Sequence, residues 1–435
     1  ARCVSHRRFN LRGGAVMSRV DLAELDFFSP EVQECPFSVY RQLQAEAPVW
    51  QMPGTNVFVV TRYDDIRQVI RDPARFSSSF SALLNAGSPN DEVNAIYEQG
   101  YEMVETLLTQ DPPRHRVYRN LVNKVFSNKR IEGMRSYIEA ITEELIDDWI
   151  DDGEVDLLNK LCVPLPIYVI ADQLGVPRTE LALLKKWSDA SVSRLGRLAD
   201  EKQQIQNARD IVEFQHYFAD LIDRLREKPE DNIISDLANN TIDEGRLLTK
   251  PEALGMIQQI LVAGNETSTN AIAGGVVLLI QNPEEQAKLR ARPDLVSSAV
   301  EEILRLETPT SGMWRRATAE TEVGGVVIPE GSFLMVRFAA GNRDESIFPC
   351  GGEMKVDREN ASNHMAFGQG THFCLGAQLA RTELQIAMNS LLRRTDNWRL
   401  VEEKNSLKHH PNVLLRGLMD LHISFDKIDD MQRPQ

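Results

Sequence analysis

The run from Leu254 to Gln281 constrains this chain more than any other stretch. It reads LGMIQQILVAGNETSTNAIAGGVVLLIQ, apolar on most helical faces and interrupted near its middle by GNETSTN. A helix of that composition needs cover on nearly every side. The charged Glu266 at its centre argues against a membrane span. The remaining chain must therefore pack around this helix, and the polar patch marks where a buried helix lines a site.

The flanking sequence can supply that cover. From Pro112 to about Leu295 the pattern is helical almost throughout, with breaks at Pro164, Pro166, Gly175–Pro177, Lys228–Pro229 and Pro251. Upstream, VWQMPGTNVFVVTRYDDIRQVIRDP predicts a β-hairpin turning near Pro53–Gly54, then a helix ended by Asp72–Pro73. Residues 77–110 begin irregularly, as segments that fold over sites often do. After Leu306, EVGGVVIPEG predicts a strand and turn. A long coil follows from Gly341 to Gly370, then a helix from roughly Leu375 to Arg393, and PNVLLRGLMDLHISF alternates like a hairpin. The expected class is mainly α with a minor β part, a single large domain over residues 21–435. The arginine-rich start, residues 1–20, reads as a disordered leader, with a transit peptide as the alternative.

A net charge of −15 argues against general nucleic-acid binding. The five cysteines form no CxxC pair, so neither a disulfide framework nor a common zinc pattern is indicated, and a reducing, cytoplasmic setting is expected. One cysteine stands apart. In AFGQGTHFCLG, Cys374 follows a glycine-rich loop and precedes a helix start, whose positive dipole end and free N–H groups favour a thiolate. Gly368, Gly370 and Gly376 allow close backbone approach, and Phe367 can shield the sulfur. Such a thiol suits haem iron. It also suits a plain buried cysteine, or half of a zinc site with His372, although no further suitably spaced ligands are visible.

FGQGTHFCLGAQLAR (Phe367–Arg381) resembles the cysteine-loop signature of the cytochrome P450 family, FGxGxHxCxG, at every fixed position. The resemblance implies the P450 fold, haem b held by Cys374 as axial ligand, and His372 bonded to a haem propionate. EEILR resembles the family's ExxR element, which implies that Glu302 and Arg305 are buried with a later arginine, here Arg358. DPPRHRVYRN is similar to the family's DPPxHxxxR stretch, making His115 and Arg119 propionate ligands, joined by Arg315. LVAGNETSTN looks like AGxET. There Ala263 and Gly264 leave room for a flat cofactor, Gly264 invites a helix distortion, Thr267 hydrogen-bonds dioxygen at the iron, and Glu266 relays protons. This pair favours a dioxygen-dependent monooxygenase over a peroxide user.

By motif position, Val262, Thr310, Ser311, Met313, Leu414 and Leu415 are candidate pocket walls for a mainly apolar small substrate. Gln259 shares the face of Ala263. It either faces the pocket, where it suits a substrate oxygen, or turns toward a neighbouring helix. No flavin or iron–sulfur motif is present, so the resemblance implies electrons from a ferredoxin and its NAD(P)H-dependent reductase. Arg114, Arg116, Lys124, Lys129 and Arg130 form either a docking face or scattered surface charge. The alternative function is a haem-thiolate binding protein or sensor without turnover.

Overall fold

The computed structural model describes residues 19–428, apart from 81–89, 124–125, 197–198 and 243–244. The leader expected at 1–20 lies almost wholly outside the described residues.

The apolar run is all but the first turn of one helix, Lys250–Gln281, the longest of the described helices. Its start is fixed by a capping box. The Thr249 hydroxyl accepts from Glu252 N, the Glu252 carboxylate accepts from Thr249 N at 2.8 Å, and Pro251 stands in the first turn. The helices Pro164–Leu174, Leu181–Gly196, Val296–Glu307 and Ala377–Arg394 pack around it. A Cβ added at Gly275 would lie 2.9 Å from Ile303, so this glycine lets Val296–Glu307 approach. Two large apolar clusters result, one around Ile272, Val276 and Ile303, the other around Ile257, Ile260 and Phe218.

The β part is small and lies beside this assembly. The predicted hairpin pairs Val49–Gln51 with Val57–Val60, and Gly54 takes the left-handed φ of 71° that its turn requires. Val57–Val60 then runs parallel to Phe333–Val336, which pairs antiparallel with Met313–Ala317. Phe76–Ser77 closes the five-stranded order. This sheet carries Arg315 to the site. The terminal hairpin expected in PNVLLRGLMDLHISF is corrected in part. Its last strand, His422–Lys427, takes its ladder from Thr395–Leu400 and Glu154–Asp156. The stretch before it makes single bridges, Thr310 to Leu415 and His409 to Leu418. Alternation identified a strand but not its partners, which lie far away in sequence.

The helix expected from Leu375 starts at Ala377, with Gly376 at its N-cap. The long coil from Gly341 holds as irregular turns, and Gly341 itself has a packing reason. A Cβ at Gly341 would meet Ile66 at 2.9 Å. Cys35, Cys162 and Cys374 are free thiols. Among the described residues no helix is long and apolar enough to cross a membrane.

Candidate active site around Cys374

A cavity of about 410 Å³ separates the central helix from the cysteine loop. Ala263 and Thr267 line it from the helix, and Phe367, Gly368, His372, Cys374 and Gly376 from the loop. The loop is built by backbone geometry that only glycine adopts without strain, with φ of 63° at Gly368 and 70° at Gly370. Cys374 N donates to Phe367 O at 2.9 Å and closes it. Burial raises the thiol's pKa, while the Gly376 N–H donated to sulfur and the charges of Arg119 and Arg381 act against that rise. Gly376 itself has an ordinary φ of −86°, and no protein atom lies within 4 Å of a Cβ placed there. Nothing in the protein alone demands glycine at that cavity-lining position.

Four basic side chains converge on the same cavity. The rings of His115 and His372 stand 4.4 Å apart, and Arg119 and Arg315 complete the group. Burial, then Arg315, His115 and Arg119, pulls His372 down to about 3, so it is neutral. Its Nε2 is buried without a hydrogen-bond partner. Arg315 is buried, pulled down to about 10 by that burial, and donates to Trp314 O. The carboxylate whose field reaches it, Asp111, already accepts from Ser77 and Ser78. This corner of the cavity is shaped for an anion.

Behind the loop, Glu302, Arg305 and Arg358 form a buried knot. Arg305 meets Glu302 in a two-pronged pair at 2.7 and 2.8 Å, and Arg358 Nε lies 2.9 Å from the same carboxylate. Arg305 also donates to the carbonyls of Asn342, Gly351 and Glu353, tying the coil that leads to Cys374 onto the Val296–Glu307 helix. On the loop's other side Arg381 pairs with Glu301 at 2.6 Å.

The acid and the alcohol of the central helix face different ways. Thr267 lines the cavity and donates to Ala263 O at 2.8 Å. Glu266 turns to the Leu181–Gly196 helix, accepting from Ser188 at 3.3 Å and lying 3.7 Å from Lys185. Burial pushes it up to about 7, with Lys185 opposing and Asp189 adding. The helix runs through Gly264 without a break, from Lys250 to Gln281. A Cβ at Gly264 would lie 3.0 Å from Ile170, so its smallness serves helix packing, and Ala263 and Gly264 both line the cavity.

The cytochrome P450 family profile matches residues 169–416. The cytochrome P450 monooxygenase PikC of Streptomyces venezuelae is 36% identical over 394 residues, 89% of this chain and 90% of its own. The chain belongs to the cytochrome P450 family. A second relative, 6-deoxyerythronolide B hydroxylase of Saccharopolyspora erythraea, is 33% identical over 90% of this chain and 96% of its own. Among solved structures, the P450 CREJ in complex with (4-ethylphenyl) dihydrogen phosphate superimposes with a TM-score of 0.86. It is 26% identical and covers 93% of this chain and 100% of its own. CYP109E1 of Bacillus megaterium in complex with testosterone gives 0.80 at 30% identity, covering 91% and 99%.

Members of this P450 family bind haem b through a cysteine thiolate, and haem b is the cofactor. The residues present fit it. A sulfur open to the cavity receives an N–H, a bare glycine surface lies beside it, and an orphaned histidine nitrogen stands among cations where a porphyrin's carboxylates need partners.

Of the expected walls, Val262, Thr310, Met313, Leu414 and Leu415 line the cavity of this P450. Ser311 does not. It is buried, and its backbone N–H donates to Leu414 O at 2.7 Å, so it holds a wall in place. Gln259 lines the cavity, and each of its two amide atoms already makes one hydrogen bond to a neighbouring segment. Its Oε1 accepts from Leu108 N and its Nε2 donates to Thr106 Oγ1. The expected docking face is also reduced. Arg114 is paired with Glu252 at 3.0 Å and Arg130 lies 3.8 Å from Asp231, whereas Arg116 and Lys129 are exposed. Lys124 lies outside the described residues. Sequence reasoning missed Met103, Leu107 and Leu108, which sit in a segment without periodicity, and Glu383, whose site lies beyond any motif. Glu383 accepts from Ser268 at 2.6 Å, and burial pushes it up to about 8.

Proposed function

We propose that this P450 inserts one atom of dioxygen into a C–H bond or alkene of a mainly apolar, mid-sized organic molecule, the other atom leaving as water. Haem supplies the dioxygen activation when bound. Cys374 would hold the haem iron through its thiolate, kept from excess basicity by the Gly376 N–H. His115, Arg119, Arg315 and His372 hold the propionates. Thr267 donates a hydrogen bond into the cavity after releasing Ala263 O, and Glu266 carries protons inward from the Lys185–Asp189 surface by turning from Ser188 and Lys185 toward the cavity. Electrons come from a separate ferredoxin and its NAD(P)H-dependent reductase, with Arg116 and Lys129 as the exposed cations left for docking.

The single observation carrying this reading is the arrangement across one cavity, the Cys374 sulfur on one wall and Thr267 on the other, with apolar walls between. The solved relative holding testosterone supports an apolar body as ligand. The test uses two variants. Cys374→Ser is expected to lose the thiolate-type spectrum of the reduced carbonyl complex. Thr267→Ala is expected to keep that spectrum while NADH consumption continues with little hydroxylated product. Unchanged coupling in Thr267→Ala would remove its role in proton delivery.

A further inference from the structure

Both polar atoms of the Gln259 side chain are committed. Leu108 N donates to Oε1 at 2.8 Å, which fixes which amide atom is oxygen, and Nε2 donates to Thr106 Oγ1 at 2.7 Å. Thr106 is fully buried, and its carbonyl accepts from both Thr109 N and Gln110 N, so this end of the segment is a tight turn. One turn earlier on the central helix, Gly255 lies in ordinary contact distance of Thr106, 3.4 Å from a Cβ placed there. At the segment's other end a second glutamine repeats the arrangement. Gln215, on the Glu201–Glu227 helix, accepts from Tyr101 N at 2.8 Å and donates to Tyr101 O at 3.0 Å. Between the two amides run Glu102, Met103 and Val104, followed by Leu107 and Leu108, all lining the cavity.

The strap from Tyr101 to Thr109 is thus an irregular piece of cavity wall with no ladder of its own. Two glutamines, from two different helices, hold it at either end. We propose that Gln259 is a positioning residue for substrate selection: it seats the Thr106–Leu108 turn on the central helix, which places Leu107 and Leu108 and limits the bulk of what enters above the haem. Its effect runs through the two leucines and through the fraction of time the strap is seated. Each of its two hydrogen bonds contributes about fivefold to that equilibrium, so loss of both shifts it about twenty-five-fold.

The inference rests on haem occupying the cavity, and the carbonyl spectrum of each variant reports that separately. The experiment uses haem-loaded protein and two iron-ligating probes, imidazole as the small one and clotrimazole as the bulky one, followed by stopped-flow Soret shifts. Gln259→Leu keeps the size of the side chain and removes both bonds. It is expected to speed clotrimazole association about twenty-five-fold while changing imidazole less than about twofold. Thr106→Val removes the Nε2 bond alone and is expected to give about fivefold. In the double variant Thr106→Val adds nothing to Gln259→Leu. Gln259→Glu, which keeps the acceptor for Leu108 N, is expected to fall between wild type and Gln259→Leu. Equal changes for both probes, no change for clotrimazole, or full additivity in the double variant would each overturn the assignment. If Gln259→Leu takes up no haem, Thr106→Val and Gln259→Glu carry the same comparison.

Discussion

Arg305 has no cheap substitute. Its guanidinium bonds one buried carboxylate and three carbonyls, and Arg358 shares that carboxylate. Glu302→Gln leaves two buried cations short of their anion, at an expected cost of about 3–5 kcal/mol. Urea unfolding of the haem-loaded protein measures that cost, and faster haem loss to a scavenger apoprotein should accompany it. Glu301 carries a pH dependence of definite sign. Burial pushes its carboxyl up, but Arg381 and His364 overcome this and hold it at about 2, below the ordinary 4.5. The folded value is depressed, so the stabilisation is complete above 4.5 and is lost as pH falls from there toward 2. Glu301→Gln should therefore flatten the fall in urea midpoint between pH 5 and 3 relative to wild type. Residues of this kind were legible in the sequence unequally. Cys374, His372, Glu302 and Arg305 sit in motifs whose spacing carries their geometry. Gln259 and Ser311 were not legible, because what they bond depends on how distant segments are seated against them.

At the scale of elements, the central helix shows what periodicity can and cannot reveal. Its composition required burial, and its Thr249–Glu252 box and Pro251 mark its start in the sequence. Thr249→Ala should cost about 1 kcal/mol, read from the urea midpoint, through loss of one end of that box. Its crossing with the Val296–Glu307 helix was not foreseeable, since nothing local says which neighbour a glycine admits. Gly275→Ala should cost about 1–3 kcal/mol by forcing Ile303 aside, also read from the urea midpoint, although alanine is the better helix former. The same limit applies to the terminal strand. Alternation showed that His422–Lys427 is extended, but its partners are Thr395–Leu400 and Glu154–Asp156, which no turn connects to it closely. The strap over the cavity was the least legible element, for its shape comes from two amides on other helices.

For the whole molecule, the site joins parts that have little reason to meet without a ligand. His115, Arg119, Arg315 and His372 bring like charge or unmet nitrogen to one corner from three separate regions of the chain. Removing haem should therefore lower the thermal midpoint markedly, and adding it back should restore the midpoint in proportion to occupancy, as scanning calorimetry of apo and holo forms would record. Class and cofactor were legible early, because the family motifs lie in order along the chain. The cavity's walls were less so, as Leu107, Leu108 and Glu383 reach it from outside every motif. The parallel pairing of Val57–Val60 with Phe333–Val336 has a further consequence during biosynthesis. The early hairpin leaves the ribosome long before its companion strand exists. Until Phe333–Val336 emerges, Val57–Val60 presents an open, greasy edge, the kind of surface that holdase chaperones shelter on nascent chains.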